Sequence, residues 1–419
     1  MHVVLRGFSL LSLVALPLWA CSSGPSGSSG ALDAGPNLDA GEADSGPVTP
    51  RDAARADAAP ALKYFGTPFE IALGHNAGEK PVEIHTLATS DGTNVYVAYS
   101  ATAQAGENLG VYVTAFDLNG ARKFAPVQVS DGDANETDTA IAVRGDTLLV
   151  AWTASSDQAR VRWRSLRTDG TSKGTVHNGP ELKYQGKALA ASQLNPWVST
   201  TASGFTLGGA WGVEGINNFQ AAGVALTPTG SPAGEVWLWG SAPADMQDGL
   251  RIAGAKATWL SAPDSGRARL LSAERGSPSP TTLGPEATGA DTDGLFVVYN
   301  DYAKRTHLRK WDATADLASW SNFGSLVSVG SNAGGGVVLG VQGSSSTPGA
   351  LHALQFGTGG ATLAEEAMAT SGAGISTQSA YDVKLVWVGL NKYFVAYQEP
   401  TADKGWLAKG VFLRFPDGM

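Results

Sequence analysis

Cysteine is almost absent from this chain: Cys21 is the only one. No intrachain disulfide can form, so stability has to come from packing. Histidine is scarce and scattered, at positions 2, 75, 85, 177, 307 and 352, with no His-x-x-x-His or His-x-His pair to build a metal site. Charged residues make up only 16%, the formal net charge is −9, and no block of five or six Lys or Arg interrupts that balance. Phosphate backbones need a concentrated basic surface, so nucleic acid is excluded as a partner. The Gly-x-Ser-x-Gly elbow, the P-loop and Gly-x-Gly-x-x-Gly are all missing, and no cofactor or metal is expected. Long helices are disfavoured as well, because Gly contributes 53 residues and costs about 1 kcal/mol at each helical position. Many short strands joined by tight turns fit this composition better.

The N-terminus carries an address. Phe8 to Trp19 (FSLLSLVALPLW) is an apolar run of twelve residues, spanning roughly 18 Å as a helix against a hydrocarbon core about 30 Å thick. It reads as the apolar part of a signal peptide over residues 1–20, not as a membrane span. It ends in Leu18-Trp19-Ala20-Cys21, which resembles a bacterial lipobox. The resemblance implies that Cys21 is diacylated and becomes the first mature residue, and that Ser22, in place of Asp, is compatible with outer-membrane sorting. The alternative is a plain secretory signal with an incidental Cys. Residues 21–61 are Ser, Gly, Ala, Asp and Pro with almost no aromatic or branched apolar side chain, a composition that cannot offset its ordering entropy and forms a tether. Forty such residues have a root-mean-square span of roughly 35 Å. Similar acidic tethers occur in myxobacterial lipoproteins. The chain is thus expected at the cell envelope, anchored to a membrane through Cys21, on either the periplasmic or the outer face.

From residue 62 the sequence repeats itself. Thr139 to Gly170 holds a short apolar run, a Gly-Asp turn, the run LLVAW (Leu148 to Trp152), a polar loop, the alternating run Val161 to Leu166 and an Asp-Gly turn. That pattern is three antiparallel strands with hairpin punctuation. The central run recurs at Val95 to Tyr99, Thr206 to Trp211, Lys256 to Leu260, Leu295 to Tyr299, Val337 to Val341 and Tyr393 to Tyr397. Spacing of this kind suits four-stranded blades, so residues 62–419 are expected to form an all-β, seven-bladed β-propeller. A six-bladed ring is the alternative, since Lys256 to Leu260 lacks a clean turn and Val337 to Val341 lacks the aromatic. A β-sandwich would explain strands but not the period. The units resemble those of bacterial secreted propellers, which pair a "fLVaW" strand with one ending in DG or NG. The seventh unit has no fourth strand after its Gly turn, whereas Thr67 to Leu73 (TPFEIAL) is an unassigned strand ahead of the first unit. It is expected to close the ring as the outer strand of the last blade.

The aromatic that ends the central run (Tyr99, Trp152, Trp211, Tyr299, Tyr397) recurs at one position, which argues for packing between blades. The acidic stretch Asp131 to Asp138 has oxygen ligands at alternate positions, yet carries Glu136 and Ala142 where a calcium loop would want Gly and a bidentate Glu. It reads as a solvated loop. The Asp-box that sialidases repeat and the Trp docking motif of quinone dehydrogenase propellers are absent.

Function on such a ring sits on loops. The loops between second and third strands carry Glu107, Asn108, Asp157, Asn217 to Phe219, Asp301 to His307 and Glu399 to Trp406, while Tyr184 and Trp197 are expected in the longest connection between blades. Tyr184, Trp197, Asp301, Tyr302, Glu399 and Trp406 are the candidate binding residues, aromatics beside acids that suit a sugar or an envelope protein. The resulting expectation is a binding or assembly module. The competing class is a hydrolase or lyase acting on an extracellular or envelope carbohydrate. An enzyme of that class would gather carboxylates at the mouth of the central channel.

Overall fold

The computed structural model describes residues 63–416, except 72–82, 103–107, 133, 156–158, 189–192, 213–218, 240–245, 262–266, 278, 285, 325–326, 345–346, 370–382 and 401–405. Cys21, the signal peptide and the tether lie outside the described residues, as do Glu107, Asp157 and Asn217. Seven four-stranded antiparallel sheets follow one another along the chain, with one extra two-stranded hairpin between the second and third. The protein is a seven-bladed β-propeller. Among the described residues the one helical piece is a 3-10 turn at Gly179–Glu181.

All seven central runs are second strands. They correspond to Asn94–Ala101, Thr147–Ser155, Phe205–Trp211, Lys256–Ser261, Phe296–Asn300, Gly335–Ser344 and Lys392–Pro400, with Leu295 of the fifth run lying in the preceding bend. These strands are packed on both faces, which is why they read as continuous apolar runs. The terminal aromatics Tyr99, Trp152, Trp211, Tyr299 and Tyr397 are all buried, with exposures of 0–4%, as inter-blade packing requires. The turn missing from the fourth unit is present after all, at Gly254–Ala255, where Gly254 adopts a φ of 63°. Seven sheets remove the six-bladed alternative.

The innermost strands are Glu83–Ser90, Asn135–Arg144, Gln193–Thr200, Met246–Ala253, Gly289–Thr292, Val327–Asn332 and Val383–Gly389. Each contacts its neighbours in order, and the last contacts the first. In the first four blades this strand slips register near its start, between Ile84 and Leu87, Thr137 and Ala140, Leu194 and Trp197, and Asp248 and Arg251. Such bulges bend the strand and re-aim its side chains. At two of them a short polar residue takes the left-handed conformation, Asp138 at φ 53° and Asn195 at φ 51°, which Asp and Asn tolerate best. The acidic stretch therefore does not form one loop. Glu136 and Asp138 belong to the second blade's innermost strand.

The ring closes as expected. Phe69–Glu70 pairs antiparallel with Trp406–Arg414 and completes the last sheet. Phe69 packs among Phe116, Phe394 and Phe412 at centroid distances of 4.9–6.1 Å. Just upstream, the Glu366 carboxylate accepts the N–H groups of Lys63, Tyr64 and Phe65 at 2.6, 2.8 and 2.9 Å. The N-terminal segment is thus held by the last two blades together, joining residues about three hundred positions apart in sequence.

Candidate functional site

Innermost strands of the first, second, third and seventh blades pack closely at one point. Leu87, Ala88, Ala140, Ile141, Trp197, Val198 and Lys384 enclose a void of only about 20 Å³, room for about one water. Beside it lies a buried ionic knot. The Asp291 carboxylate accepts from Lys384 Nζ at 2.8 and 3.0 Å, Arg251 Nε at 3.2 Å, Ser328 Oγ at 2.6 Å and the Val329 N–H at 3.2 Å. Burial alone would raise the Asp291 pKa, but the Lys384 and Arg251 charges hold it below the usual carboxylate range. Trp197 lies between these cations, 4.4 Å from the Arg251 guanidinium carbon and 5.3 Å from Lys384 Nζ. It is 8% exposed and its Nε1 donates to the Ile252 carbonyl at 3.2 Å.

Trp197 is therefore an innermost-strand residue and not part of a connecting loop. Pro196 beside it lacks an N–H and is unusual within a strand. The register break at this place accommodates it. Asp291 is thus ion-paired to two cations from other innermost strands.

Open cavities occur on the loop face over the fifth blade. The turn Asp301-Tyr302-Ala303-Lys304-Arg305 joins its second and third strands. The Lys304 N–H donates to the Asp301 carbonyl at 3.1 Å, and the Asp301 N–H donates to the Arg305 carbonyl at 3.0 Å. One cavity of about 570 Å³ lies toward the sixth blade, lined by Thr288, Asn300, Asp301, Tyr302, Lys304, Asn322, Gly324, Val341 and Gln342. A second of about 430 Å³ lies toward the fourth, lined by Arg267, Glu286, Tyr299, Asp301, Tyr302, Ala303 and His307. Tyr302 is 41% exposed and edges both. Its hydroxyl accepts the Ala268 N–H at 3.1 Å, and the Arg267 guanidinium sits 4.9 Å above its ring. Arg267 is itself ion-paired to Glu286 at 2.5 Å.

The turn is pinned to its blade. Asp301 Oδ1 accepts the Arg305 N–H at 2.8 Å, and Oδ2 meets His307 Nε2 at 3.1 Å. Burial opposes ionisation of Asp301, yet these two partners keep its pKa below the ordinary range. The other nitrogen of His307 meets Asp316 Oδ2 at 3.0 Å, and its ring stacks on Tyr299 at 4.7 Å and 11°. Asp316 also takes Arg309 Nε at 2.9 Å and the Tyr299 hydroxyl at 3.3 Å. Burial, followed by the Asp316 charge, pushes the Tyr299 hydroxyl up to about 12. The result is a loop whose conformation is set before any ligand arrives, which lowers the entropic cost of binding.

Of the six candidates read from sequence, Asp301 and Tyr302 thus meet around two cavities. The other four lie elsewhere in the fold. Tyr184 is half-buried in the extra hairpin, Lys183–Tyr184 against Lys187–Ala188. Glu399 is buried in the last blade's second strand and ion-paired to Lys409 at 2.5 Å. Trp406 begins that blade's third strand, so Glu399 and Trp406 belong to strands that border their loop. Likewise His307 belongs to the strand Arg305–Lys310. Thr288 and Asn322 flank the fifth blade's first and fourth strands and Gln342 comes from the sixth blade; all three escaped the reading from sequence because nothing local in the chain marks them.

No family model matches this sequence, and neither does any curated protein. Among solved structures, a protein of unknown function from Dyadobacter fermentans DSM 18053 is 12% identical, covering 85% of this chain and all of that one at a TM-score of 0.48. A subtype N10 neuraminidase-like protein of A/little yellow-shouldered bat/Guatemala is 8% identical over 84% of this chain and 98% of its own, at 0.43. BamB from Moraxella catarrhalis is 12% identical over 84% and 100%, at 0.38. These are likenesses of fold.

Proposed function

We propose that this chain is a lipid-anchored propeller of the bacterial cell envelope that binds a glycan on its loop face and performs no chemistry on it. The observation that carries the reading is the pinned Asp301–Lys304 turn with a cavity on each side. Cavities of this size suit one or two sugar rings. Their lining of amides, hydroxyls and one exposed tyrosine offers hydrogen-bond partners and a stacking face. The anchoring part rests on the apolar run before Cys21 and the tether after it.

The test is capture of envelope glycans by the full chain compared with Tyr302→Ala and Tyr184→Ala variants. Retention should fall at least tenfold for Tyr302→Ala and stay unchanged for Tyr184→Ala. Equal retention by all three proteins, or cleavage of the captured glycan, would overturn the reading.

A further inference from the structure

The turn that carries the site is a turn this protein uses repeatedly. Asp117 to Ala121, Arg167 to Thr171, Thr227 to Ser231 and Gly357 to Ala361 share its two backbone hydrogen bonds. In each, the fourth residue donates to the first carbonyl at 2.9–3.0 Å and the first donates to the fifth carbonyl at 2.7–3.0 Å. The fourth residue must adopt a left-handed conformation, and in those four turns it is Gly120, Gly170, Gly230 or Gly360, at φ 83–89°. Glycine is the default because it has no Cβ to clash there. In the turn over the fifth blade the same position is Lys304, at φ 61°. Lysine in that conformation is uncommon and strained.

Nothing in the described fold repays the strain. Lys304 is exposed, and no carboxylate among the described residues lies within ion-pair distance of its ammonium, whereas Lys173, Lys384 and Lys409 each have one. Beside it on the same cavity Asn322 is also left-handed, at φ 59°, and its N–H donates to the Lys304 carbonyl at 3.3 Å. Strained backbone of this kind gathers where a ligand is clamped. The Asp301 carboxylate, the other charge on this cavity, is already occupied by Arg305 and His307. The lining is otherwise neutral.

We propose that the Lys304 ammonium receives the carboxylate of an acidic sugar, so that the cavity between the fifth and sixth blades takes a uronic-acid-type residue of the glycan. This rests on the glycan-binding reading above and narrows it. The test is calorimetry on the full chain with trigalacturonate and with the matching neutral galactose trisaccharide, at low and raised salt, for wild type, Lys304→Gly and Lys304→Gln. The acidic trisaccharide should bind wild type at least tenfold more tightly than the neutral one, and raised salt should shrink that preference. Both variants should lose the preference. Lys304→Gly should also melt higher than wild type, because it relieves the strain, whereas Lys304→Gln should not. An undiminished preference in either variant, or a Lys304→Gly protein that melts lower than wild type, overturns the inference. Binding of both trisaccharides alike overturns it while leaving the glycan reading intact. Binding of neither overturns it and counts against the glycan reading as well.

Discussion

Removing the Asp291 carboxylate should loosen the whole ring, because that one group faces innermost strands from three other blades. It accepts from Arg251 of the fourth blade, Ser328 and Val329 of the sixth and Lys384 of the seventh. In Asp291→Ala two cations lose the carboxylate they share, Arg251 at 4% and Lys384 at 12% side-chain exposure. Breaking a buried pair by removing one partner costs about 3–5 kcal/mol. Unfolding entropy is roughly 2.1 cal/mol/K per residue, or about 0.7 kcal/mol per degree for a ring of about 350 residues, so the melting midpoint at pH 7 should fall roughly 4–7 °C. Adding Lys384→Met should recover a large part of the loss, since it removes one of the two charges without opening a cavity, and a double-mutant cycle measures that coupling. The folded pKa of Asp291 is depressed, so its contribution is complete above the ordinary carboxylate value of about 4 and is lost as pH falls through the folded value. The gap between wild type and Asp291→Ala should therefore close below about pH 4. A shift under about 2 °C at pH 7, with no recovery on adding Lys384→Met, would show that solvent reaches the knot and would refute it as a structural hub.

Deleting residues 62–73 removes the closing strand and its Phe69 cluster, and should lower the melting midpoint by at least 5 °C on the scale of a lost buried aromatic, about 3–5 kcal/mol; an unchanged melt in differential scanning calorimetry would refute closure as a source of stability. Glu136 is buried, and burial raises its pKa in spite of hydrogen bonds from Ser130 and Trp152. A raised carboxylate pKa means the folded state loses stability as pH rises above about 4.3. Glu136→Gln, which can still accept from Trp152 Nε1, should accordingly raise the midpoint at pH 7 and leave it unchanged at pH 4. Cys21→Ser should move the protein out of the membrane fraction and abolish incorporation of labelled palmitate, and a variant that still carries label would refute lipidation there.

Much of the ring was legible because second strands are buried on both sides and announce themselves as apolar runs closed by an aromatic. The closing strand was legible by subtraction, as a missing partner at one end and a surplus strand at the other. Fourth strands were harder to read. Two of them, His177–Asn178 and Trp237–Leu238, are two residues long, and an outer strand of that length carries little periodic signal. Innermost strands were obscured by their bulges: Asp138, Asn195 and Pro196 look like loop residues because locally they break the ladder. Trp197 was lost to the same effect. Of the site, Asp301 and Tyr302 could be found because they lie on a loop between recognisable strands. The rest depends on which residues two neighbouring blades bring beside that loop, and no single stretch of chain records it.

The repeat also explains why the site lies where it does. One continuous core cluster runs from the first blade into the fourth, whereas the fourth to seventh blades are joined by smaller separate clusters. Regular blades pack their loops and turns against neighbours: a Cβ on Gly120 would lie 3.2 Å from Phe69, and one on Gly170 would lie 2.9 Å from Phe124. Those glycines are needed for their turn and also for the close approach of an aromatic from the preceding blade. The turn at Lys304 is on the opposite end of its blade and borders a cavity, so only the conformational requirement applies to it, and a side chain fits at a cost in strain alone. The fifth blade thus combines a lysine in a conformation that glycine adopts in those turns with a cavity on each side of its loop.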